Sequence, residues 1–561
     1  MKLTTLKRTA SWMLAALAIL AAGTVYGATW INTTSGLLEV AENWDTDDGY
    51  GDPYVPWGEA AVFGWSGQDI LVTSDTGFMS GGMNIGGSGL TTFFIATNME
   101  YAINGRIMIE GANDVTFANG IFTVDAKFGH MYIGDRTGGH TVKVTGPHTR
   151  LDFLGEGAGI LFGNHDTSED GVLEVSGGAV VTSAQGSLAA AGGRNTTVIT
   201  GDGSRFAFAG NIEMVAGDSN TVYVGDGGAL SVNSTSLAGD GYRFTVENAV
   251  FTNFGGVVLG GSAGEFIVDG ADFRNWGSLN LHGYGNRMEI RNDSTAYMYN
   301  GAMGNWGQGN VLRIQGSELS FGVNEWAGFG VGSGSASNCL EIVDGGKMSH
   351  YHNLTIGTIG GGAGCAGNVL RVENGTLELM RHTYFYQRGL VVASGGRVEI
   401  AGTNSLIDIA KHFVLLEHSV LRFEFGKEAP ANPLIKVRSG FAGWNGGYGY
   451  GFEGDGSGRL EIDARKLACG GGGRVVLMEL PANGVYNWNW EDASIVQVAL
   501  LDFANTVTWD GGVAGALTVE PVTVYDIWYW PDGQNIALGN GVGWQLVATV
   551  PDMAGTMILL R

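Results

Sequence analysis

The chain has 561 residues, of which 96 are glycine and only 9 are proline, and its formal net charge is −25 at pH 7. Glycine at about one residue in six, without a three-residue period, excludes a collagen-like chain, and 44% hydrophobic residues are too many for a disordered one. The negative charge argues against nucleic acid as a partner, because an acidic surface repels phosphates.

The first 27 residues have the pattern of a secretory signal peptide. A basic start with Lys7 and Arg8 precedes an apolar run over 12–22, which is too short for a stable transmembrane helix. Small residues follow at Gly27 and Ala28 and offer a cleavage point. We therefore predict a signal peptide over 1–27, a secreted or cell-surface protein, and a mature chain without a stable membrane span. An uncleaved N-terminal anchor is the alternative.

Residues 28–100 differ in composition from the segment that follows them. They are rich in tryptophan, aspartate and glycine, and they lack the repeat described below. The two ends of a repeat array expose unpaired strand edges and an open core, and both need to be covered. We therefore predict that 28–100 form an N-terminal cap region.

A short motif recurs through residues 101–410. It consists of asparagine, any residue, an apolar residue, any residue and an apolar residue, and a turn with glycine or asparagine follows. The clearest copies begin at Asn220, Asn286, Asn310, Asn338 and Asn368. Alternation of this kind predicts β-strands, because successive side chains of a strand point to opposite faces. A strand that recurs about every 25 residues predicts an all-β solenoid, a parallel β-helix in which each coil pairs with the next.

The recurring asparagines have a structural explanation. At one corner of stacked coils, each side-chain amide can bond the amides above and below it. Asparagine also tolerates the left-handed backbone angles of tight turns. We therefore predict a structural asparagine ladder formed by the five residues that begin the motif copies: Asn220, Asn286, Asn310, Asn338 and Asn368.

The asparagine motif stops at about residue 411, although alternating segments such as 421–425 and 459–463 are still typical of strands. For 411–561 we predict a less regular C-terminal β region, in which the solenoid continues and is then closed. Tryptophans cluster in this region, and we expect them to plug the open end of the solenoid. An exposed strip of tryptophans for carbohydrate is the alternative. The tryptophans concerned are Trp488, Trp490, Trp509, Trp528, Trp530 and Trp544.

The start of the mature chain, with Asn43-Trp44 and the segment 59–63, resembles the opening of secreted bacterial proteins with autotransporter-like β-strand repeats. The motif followed by Gly-Gly looks like their repeat unit. Such proteins often end in a PEP-CTERM sorting signal, and the segments 550–552 and 556–560 are similar to a degenerate form of this tail. The resemblance implies a right-handed parallel β-helix at the cell surface or outside the cell, and it implies no particular reaction.

Enzymes with this fold resemble one another in placing carboxylates and an arginine or lysine on one outer face, and no such set stands out here. The densest cluster of histidines and tyrosines comes from 349–352 and 381–386, and it suggests contact with sugar rings. Alternatives are a half-buried strip that joins two coils and a metal held by paired imidazoles. We predict no catalytic residue and no metal ligand. The carbohydrate-contact candidates are His350, His352, Arg381, His382 and Tyr384.

Asp-Gly pairs recur along the repeats and offer carboxylate and carbonyl oxygens, the ligands that calcium prefers. An Asp-Gly pair is nevertheless more often only a turn. We therefore predict no cofactor, and calcium is the less favoured alternative. The pairs begin at Asp202, Asp226, Asp240, Asp269 and Asp344.

Taken together, these patterns favour a non-catalytic secreted or cell-surface β-solenoid with a structural, adhesive, or envelope- or matrix-binding role. Polysaccharide or envelope components are the expected partners, and the oligomeric state stays open. The alternative is a secreted carbohydrate-active enzyme, a polysaccharide lyase or glycoside hydrolase, on the same scaffold. An enzyme would need a cleft in which acids and bases converge.

Overall fold

Strands make up 61% of the structure and helices 4%, and the strands form a parallel β-solenoid of about 14 turns. The prediction of an all-β chain built as a parallel β-helix is therefore confirmed. The computed structural model describes residues 27–31, 36–46, 60–66, 69–109, 112–134, 138–188, 191–214, 217–303, 307–322, 329–332, 335–351, 353–357, 366–380, 389–410, 413–416, 418–438, 452–454, 458–481, 494–529 and 536–553. The predicted signal peptide lies outside these residues, apart from Gly27.

Each coil contributes strands to three lateral faces, which we name sheets A, B and C in the order in which the chain passes through them. Sheet A carries the asparagine motif. Its strands are Gly36–Leu37, Ile70–Ser74, Val172–Ser176, Thr196–Thr200, Thr221–Gly225, Arg243–Glu247, Glu265–Asp269, Arg287–Arg291, Val311–Gln315, Cys339–Val343, Asn368–Glu373, Gly396–Ala401, Val420–Glu424, Arg459–Asp463 and Thr508–Trp509.

Sheet B follows in each coil, after a tight corner. Its strands are Phe78–Ser80, Glu100–Ile103, Val180–Ser183, Val250–Asn253, Glu318–Phe321, Lys347–His350, Thr376–Leu379, Leu406–Ile409, Ile435–Val437 and Gly473–Pro481. The strands of sheet C are Gly27–Trp30, Ala60–Ser66, Ile107–Ile109, His130–Ile133, Gly159–Phe162, Gln185–Leu188, Val257–Leu259, Phe329–Val331, Leu354–Ile356, Leu390–Val392, Phe413–Leu415 and Phe452–Gly454.

Some strands bend at a corner and belong to two sheets. They are Gly82–Ile95, Ala112–Val124, Thr141–Phe153, Arg205–Met214, Ala229–Leu237, Asp272–Leu281 and Thr295–Met303. Three further strands pair antiparallel at the ends: Trp44–Thr46, Ala516–Tyr529 and Ile536–Val550. The helices are Arg465–Cys469 and Ser494–Ala504, with 3-10 turns at Ala41–Asn43 and Asp510–Gly512. In the described part of the chain, none of the helices has the length and apolar character needed to cross a membrane.

The core runs along the solenoid as one continuous apolar column. Within each strand, alternate side chains point inward, as in Arg287–Arg291, where Met288 and Ile290 have no exposed surface. Successive coils pair in register, with Phe244 opposite Phe266, so like residues stack along the axis. The Phe244 and Phe266 ring centroids are 4.7 Å apart, close to the usual separation of paired strands, about 4.8 Å.

Asparagines occupy equivalent positions at the corner before sheet A in four successive coils. Asn286, Asn310, Asn338 and Asn368 are fully buried. The Oδ1 atom of each of the last three accepts a hydrogen bond from the main-chain N–H of the asparagine one coil earlier, at 3.0–3.1 Å. The corner interrupts the strand ladder, and the side chains satisfy main-chain groups that would otherwise be buried without partners.

The asparagine column differs in two ways from the predicted ladder of amide-to-amide bonds. Most of its bonds join side chain to main chain, although Asn310 Nδ2 also donates to Asn338 Oδ1 at 3.1 Å and Asn338 Nδ2 to Asn368 Oδ1 at 3.2 Å. Asn220 lies apart from the other four, and its Oδ1 accepts from the main-chain N–H of Asn195 at 2.8 Å. In the two intervening coils, Tyr242 and Gly264 precede the sheet A strands instead of asparagine.

Close stacking of coils accounts for part of the high glycine content. At the corner between sheets C and A, a Cβ atom on Gly217 would lie 1.9 Å from the carbonyl oxygen of Gly192. One on Gly307 would lie 1.8 Å from the carbonyl oxygen of Gly283. No side chain fits at such distances, so these positions require glycine.

The outer face of sheet A carries charges that alternate in sign along the axis. Arg313 lies 3.4 Å from Glu341, and Arg371 lies 3.4 Å from Glu399. A slip between coils would separate these opposite charges, whose direct pairing across strands is favourable, so this ladder favours the observed register. The seven residues, one from each successive coil, are Glu289, Arg313, Glu341, Arg371, Glu399, Arg422 and Glu461.

Asp463, at the end of this face, gives a prediction for the pH dependence of stability. The side chain of Arg465 donates to it at 2.9 Å, and this bond holds the pKa of the Asp463 carboxyl below its ordinary value, with further help from Arg422. A lowered pKa contributes stability above the unfolded pKa, about 4, and this contribution is lost as the pH falls through the folded pKa. We expect Asp463→Asn to lower the urea unfolding midpoint at pH 7 and to lower it less at pH 3.

The control for this prediction is Asp218→Asn, because Asp218 is an exposed aspartate. We expect this change to leave the urea midpoint nearly unaltered at both pH values. If Asp463→Asn lowers the urea unfolding midpoint as much at pH 3 as at pH 7, the prediction is contradicted.

The two ends of the solenoid are closed differently. At the N-terminal end, Gly27–Trp30 pairs antiparallel with Trp44–Thr46, and the Trp30 and Trp44 rings meet edge to face at 5.1 Å. Parallel coils begin within the segment predicted as a cap, since Ile70–Ser74 already pairs in parallel with Gly82–Ile95. Cap and coils therefore overlap in sequence in residues 28–100.

At the C-terminal end, the hairpin of Ala516–Tyr529 and Ile536–Val550 pairs with Gly473–Pro481. Trp509 and Trp544 are partly buried and pack against the core, as expected of a plug. Of the other tryptophans in the predicted plug, Trp488, Trp490 and Trp530 lie outside the described residues, and the side chain of Trp528 is not described.

Candidate functional site

Of the five predicted carbohydrate-contact residues, the structure describes only His350. It is 1% exposed, and its ring stacks on that of Phe321 with centroids 4.9 Å apart. This burial contradicts a sugar contact by His350. The physical reason is strand parity, since His350 pairs with the inward-pointing Leu379. The other four candidates, His352, Arg381, His382 and Tyr384, lie outside the described residues.

The outward positions of sheet B carry a row of aromatic side chains, which we call the aromatic ridge: Phe254, Trp276, Tyr297, Tyr299 and Tyr351. Phe254, Trp276 and Tyr299 are 59%, 50% and 38% exposed. Each of these three follows directly on residues that pair in register across three successive coils. Their backbone positions therefore lie in successive coils, about 4.8 Å apart, and the register shifts by one residue directly after Asn275 and Met298.

Tyr297 connects the part of the ridge at Trp276 with the coil of Gly322. Its ring lies 5.2 Å from that of Trp276, and a Cβ atom on Gly322 would lie 2.3 Å from the Tyr297 hydroxyl oxygen. The ring therefore covers Gly322, which holds the ridge position of the next coil. Burial raises the pKa of Tyr297, and the neighbouring Tyr299 and Tyr351 raise it further. Aromatic surface thus continues across the coil in which a glycine, Gly322, occupies the ridge position.

A buried amide pair supports the corner that presents the ridge. Asn253 and Asn275 are fully buried, and Asn253 Nδ2 donates to Asn275 Oδ1 at 2.9 Å. Thr235 donates to Asn253 Oδ1 at 3.0 Å. Asn253 and Asn275 directly precede Phe254 and Trp276, so they fix the backbone from which both rings project. The sequence analysis missed this pair, although an asparagine at the end of two successive sheet B strands was a usable signal.

The surface beside the ridge is polar and nearly neutral. Arg274 forms an ion pair with Asp272 at 2.6 Å, which cancels its charge locally. Thr252 and Ser320 project from the same outward row and are half-buried. The ridge is therefore flanked by hydroxyl groups and one paired guanidinium, groups that bind hydroxyls without selecting a charged ligand.

Sheet B also carries two carboxylates on adjacent coils, the first and second coils beyond the coil of Tyr351. Glu378 pairs in register with Asp408. Glu378 binds Lys347 at 3.1 Å, and Asp408 accepts from Arg438 Nε at 2.6 Å. Two carboxylates beside a lysine are the elements that acid–base chemistry requires, yet both are engaged in ion pairs. This pair was not predicted from the sequence, because the two carboxylates meet only through the coil register.

For metal binding, no three His, Cys, Asp or Glu side chains converge anywhere in the described ranges. Asp226 and Asp344 adopt positive φ angles, 49° in each case, as aspartates at tight turns often do. These two Asp-Gly positions thus have a conformational explanation. The absence of a cofactor stays a prediction, with calcium at these turns as its less favoured alternative.

The exposed side of sheet B therefore combines a continuous aromatic ridge, a polar flank and a pair of ion-paired carboxylates. No family model, curated protein or solved structure matches the chain. The parallel β-solenoid rests on the strand pairing itself, and the chemistry of sheet B is the starting point for function.

Proposed function

We propose that the protein is a non-catalytic, secreted or cell-surface β-solenoid that adheres to envelope or matrix material. The aromatic ridge carries this proposal. Three large aromatic side chains, Phe254, Trp276 and Tyr299, are exposed at equivalent positions of successive coils. Contiguous exposed apolar surface on a soluble protein is typical of an interaction site.

The scaffold suits a role in adhesion. Main-chain pairing between coils and a single core make a rod whose lateral face repeats the same geometry from coil to coil. The signal-peptide pattern of residues 1–27 and the resemblance to secreted autotransporter-like repeat proteins support a location outside the cell. The degenerate PEP-CTERM-like tail supports display at the surface.

A carbohydrate-active enzyme is the second candidate, and the observation that favours it is the register of Glu378 with Asp408. The ion pairs of both carboxylates count against it, because a general acid or base must reach a substrate atom. Arg438 engages the Asp408 carboxylate, whose side chain is only 10% exposed. We therefore favour adhesion.

To separate the two functions, the mature protein is incubated with a panel of acidic and neutral polysaccharides and with isolated envelope material. We expect it to co-sediment with envelope or matrix material and to release no reducing ends and no unsaturated products. Turnover that disappears in Glu378→Gln and Asp408→Asn but persists in Glu399→Gln, a matched change on sheet A, would overturn the proposal.

A further inference from the structure

We infer that the aromatic ridge binds an uncharged polysaccharide chain that lies along the solenoid axis. This inference rests on the proposed adhesive function and names its ligand. It starts from the spacing of the rings. Phe254, Trp276 and Tyr299 repeat with the rise of the coils, about 4.8 Å, which is comparable to the length that one pyranose unit adds to an extended glycan.

The length of the ridge fits several sugar units. From Phe254 to Tyr351 the ridge spans five successive coils, which corresponds to about 20 Å along the axis. An aromatic ring offers an apolar face on which the C–H face of a sugar ring packs. Because Tyr297 covers Gly322, a chain laid along the axis meets aromatic surface throughout this distance.

The flank of the ridge suits the hydroxyl groups of the ligand. Thr252 and Ser320 lie in the outward row beside the ridge, and each hydroxyl can both donate and accept a hydrogen bond. Sugar hydroxyls need such partners, since a polar group that loses water without replacement costs free energy. An apolar partner would leave this flank unsatisfied.

Electrostatics decide the charge of the ligand. The chain carries a net charge of −25. The guanidinium in the outward row beside the ridge, that of Arg274, is paired with Asp272. A polyanion would be repelled by the protein as a whole and would meet no unpaired cation in that row. The ridge therefore favours a neutral polysaccharide over an acidic one.

The shape of the ridge argues against a second copy of this chain as the occupant. A standard interface buries about 800 Å² on each partner. The ridge is one side chain wide, and Tyr297 and Tyr351 within it are already half-buried. A narrow chain can cover it completely, whereas a second solenoid would need contacts well beyond it.

The test uses affinity electrophoresis and calorimetry with three soluble probes: hydroxyethyl cellulose, xyloglucan and polygalacturonate. We expect the protein to bind at least one neutral probe and not polygalacturonate. Trp276→Ala should weaken binding about tenfold, which corresponds to about 1.4 kcal/mol. Tyr284→Ala is the matched control, because Tyr284 is 57% exposed at another corner, and it should bind as the wild type does.

A second variant tests the ridge without removing an aromatic ring. Gly322→Ala places a Cβ atom against the Tyr297 hydroxyl, so it displaces the ring, and we expect weaker binding. Urea midpoints equal to that of the wild type would show that these variants are folded. Binding that survives both changes, or a preference for polygalacturonate, would overturn the inference.

Two further outcomes separate this inference from the proposed function. Adhesion to envelope material that depends on Trp276, without binding of any neutral polysaccharide, would overturn the inference and leave the proposed function standing. A dimer in light scattering that Trp276→Ala dissociates would overturn the inference in favour of self-association. If the wild type neither adheres to envelope material nor binds a polysaccharide, the inference and the proposed function are both overturned.

Discussion

Replacing Phe266 with alanine should lower the free energy of unfolding by about 3–5 kcal/mol. The side chain has no exposed surface, and its ring lies 4.7 Å from that of Phe244 and 5.3 Å from that of Phe273. Truncation leaves a cavity that the stacked coils above and below cannot fill, because their backbones are held by main-chain pairing. Urea denaturation followed by circular dichroism measures the change.

Phe254→Ala is the matched control for this prediction. The same substitution is made one coil earlier, at a side chain that is 59% exposed. We expect a change within about 0.5 kcal/mol. Equal effects of the two substitutions would contradict the assignment of Phe266 as an inward-pointing side chain and of Phe254 as an outward-pointing one.

Asn338→Ala should lower the free energy of unfolding by about 2–4 kcal/mol, because each buried group left without a partner costs about 1–3 kcal/mol. Asn338 Oδ1 accepts from the main-chain N–H of Asn310 at 3.1 Å, and its Nδ2 donates to Ser335 Oγ at 3.0 Å. Alanine removes both bonds and leaves the N–H of Asn310 buried.

Hydrogen exchange gives this prediction a local readout. The amide proton of Asn310 should exchange faster in Asn338→Ala, whereas amides several coils away should keep their protection, since each coil contacts only its neighbours. Asn233→Ala serves as the control, because Asn233 is exposed. Unchanged protection of the Asn310 amide would contradict the role of the asparagine column.

The parallel solenoid was predictable because its cause repeats along the chain. Alternation of apolar and polar residues in segments such as 286–290 and 310–314 states which side chains point inward. The recurring asparagine marks where each coil turns. Both signals are local, and a solenoid needs only local signals of equal spacing for neighbouring coils to pair.

The alternating charges of sheet A were also present in the motif, although the sequence analysis did not use them. Aligning the copies that begin at Asn310, Asn338 and Asn368 places arginine, glutamate and arginine at the same outward position. This pattern becomes informative once the copies are known to be in register. Comparison of aligned copies would therefore have found this ladder.

The position of His350 shows where the sequence argument failed. Sheet B begins after a corner whose length varies between coils, so the sheet A motif does not fix which side chains of 349–352 point inward. The strand that contains His350 pairs Lys347 with Thr376, and this register sends the histidine inward with Leu379. The residue pattern of one sheet thus does not determine which side chains of the next sheet point inward.

Local pattern was enough for the strand type, the inward and outward faces of sheet A and the existence of coils, because these depend on residues near one another in the chain. The aromatic ridge and the pairing of Glu378 with Asp408 depended on the folded molecule. Coils of unequal length bring distant residues to the same height, and that register is a joint property of two segments that neither one specifies alone.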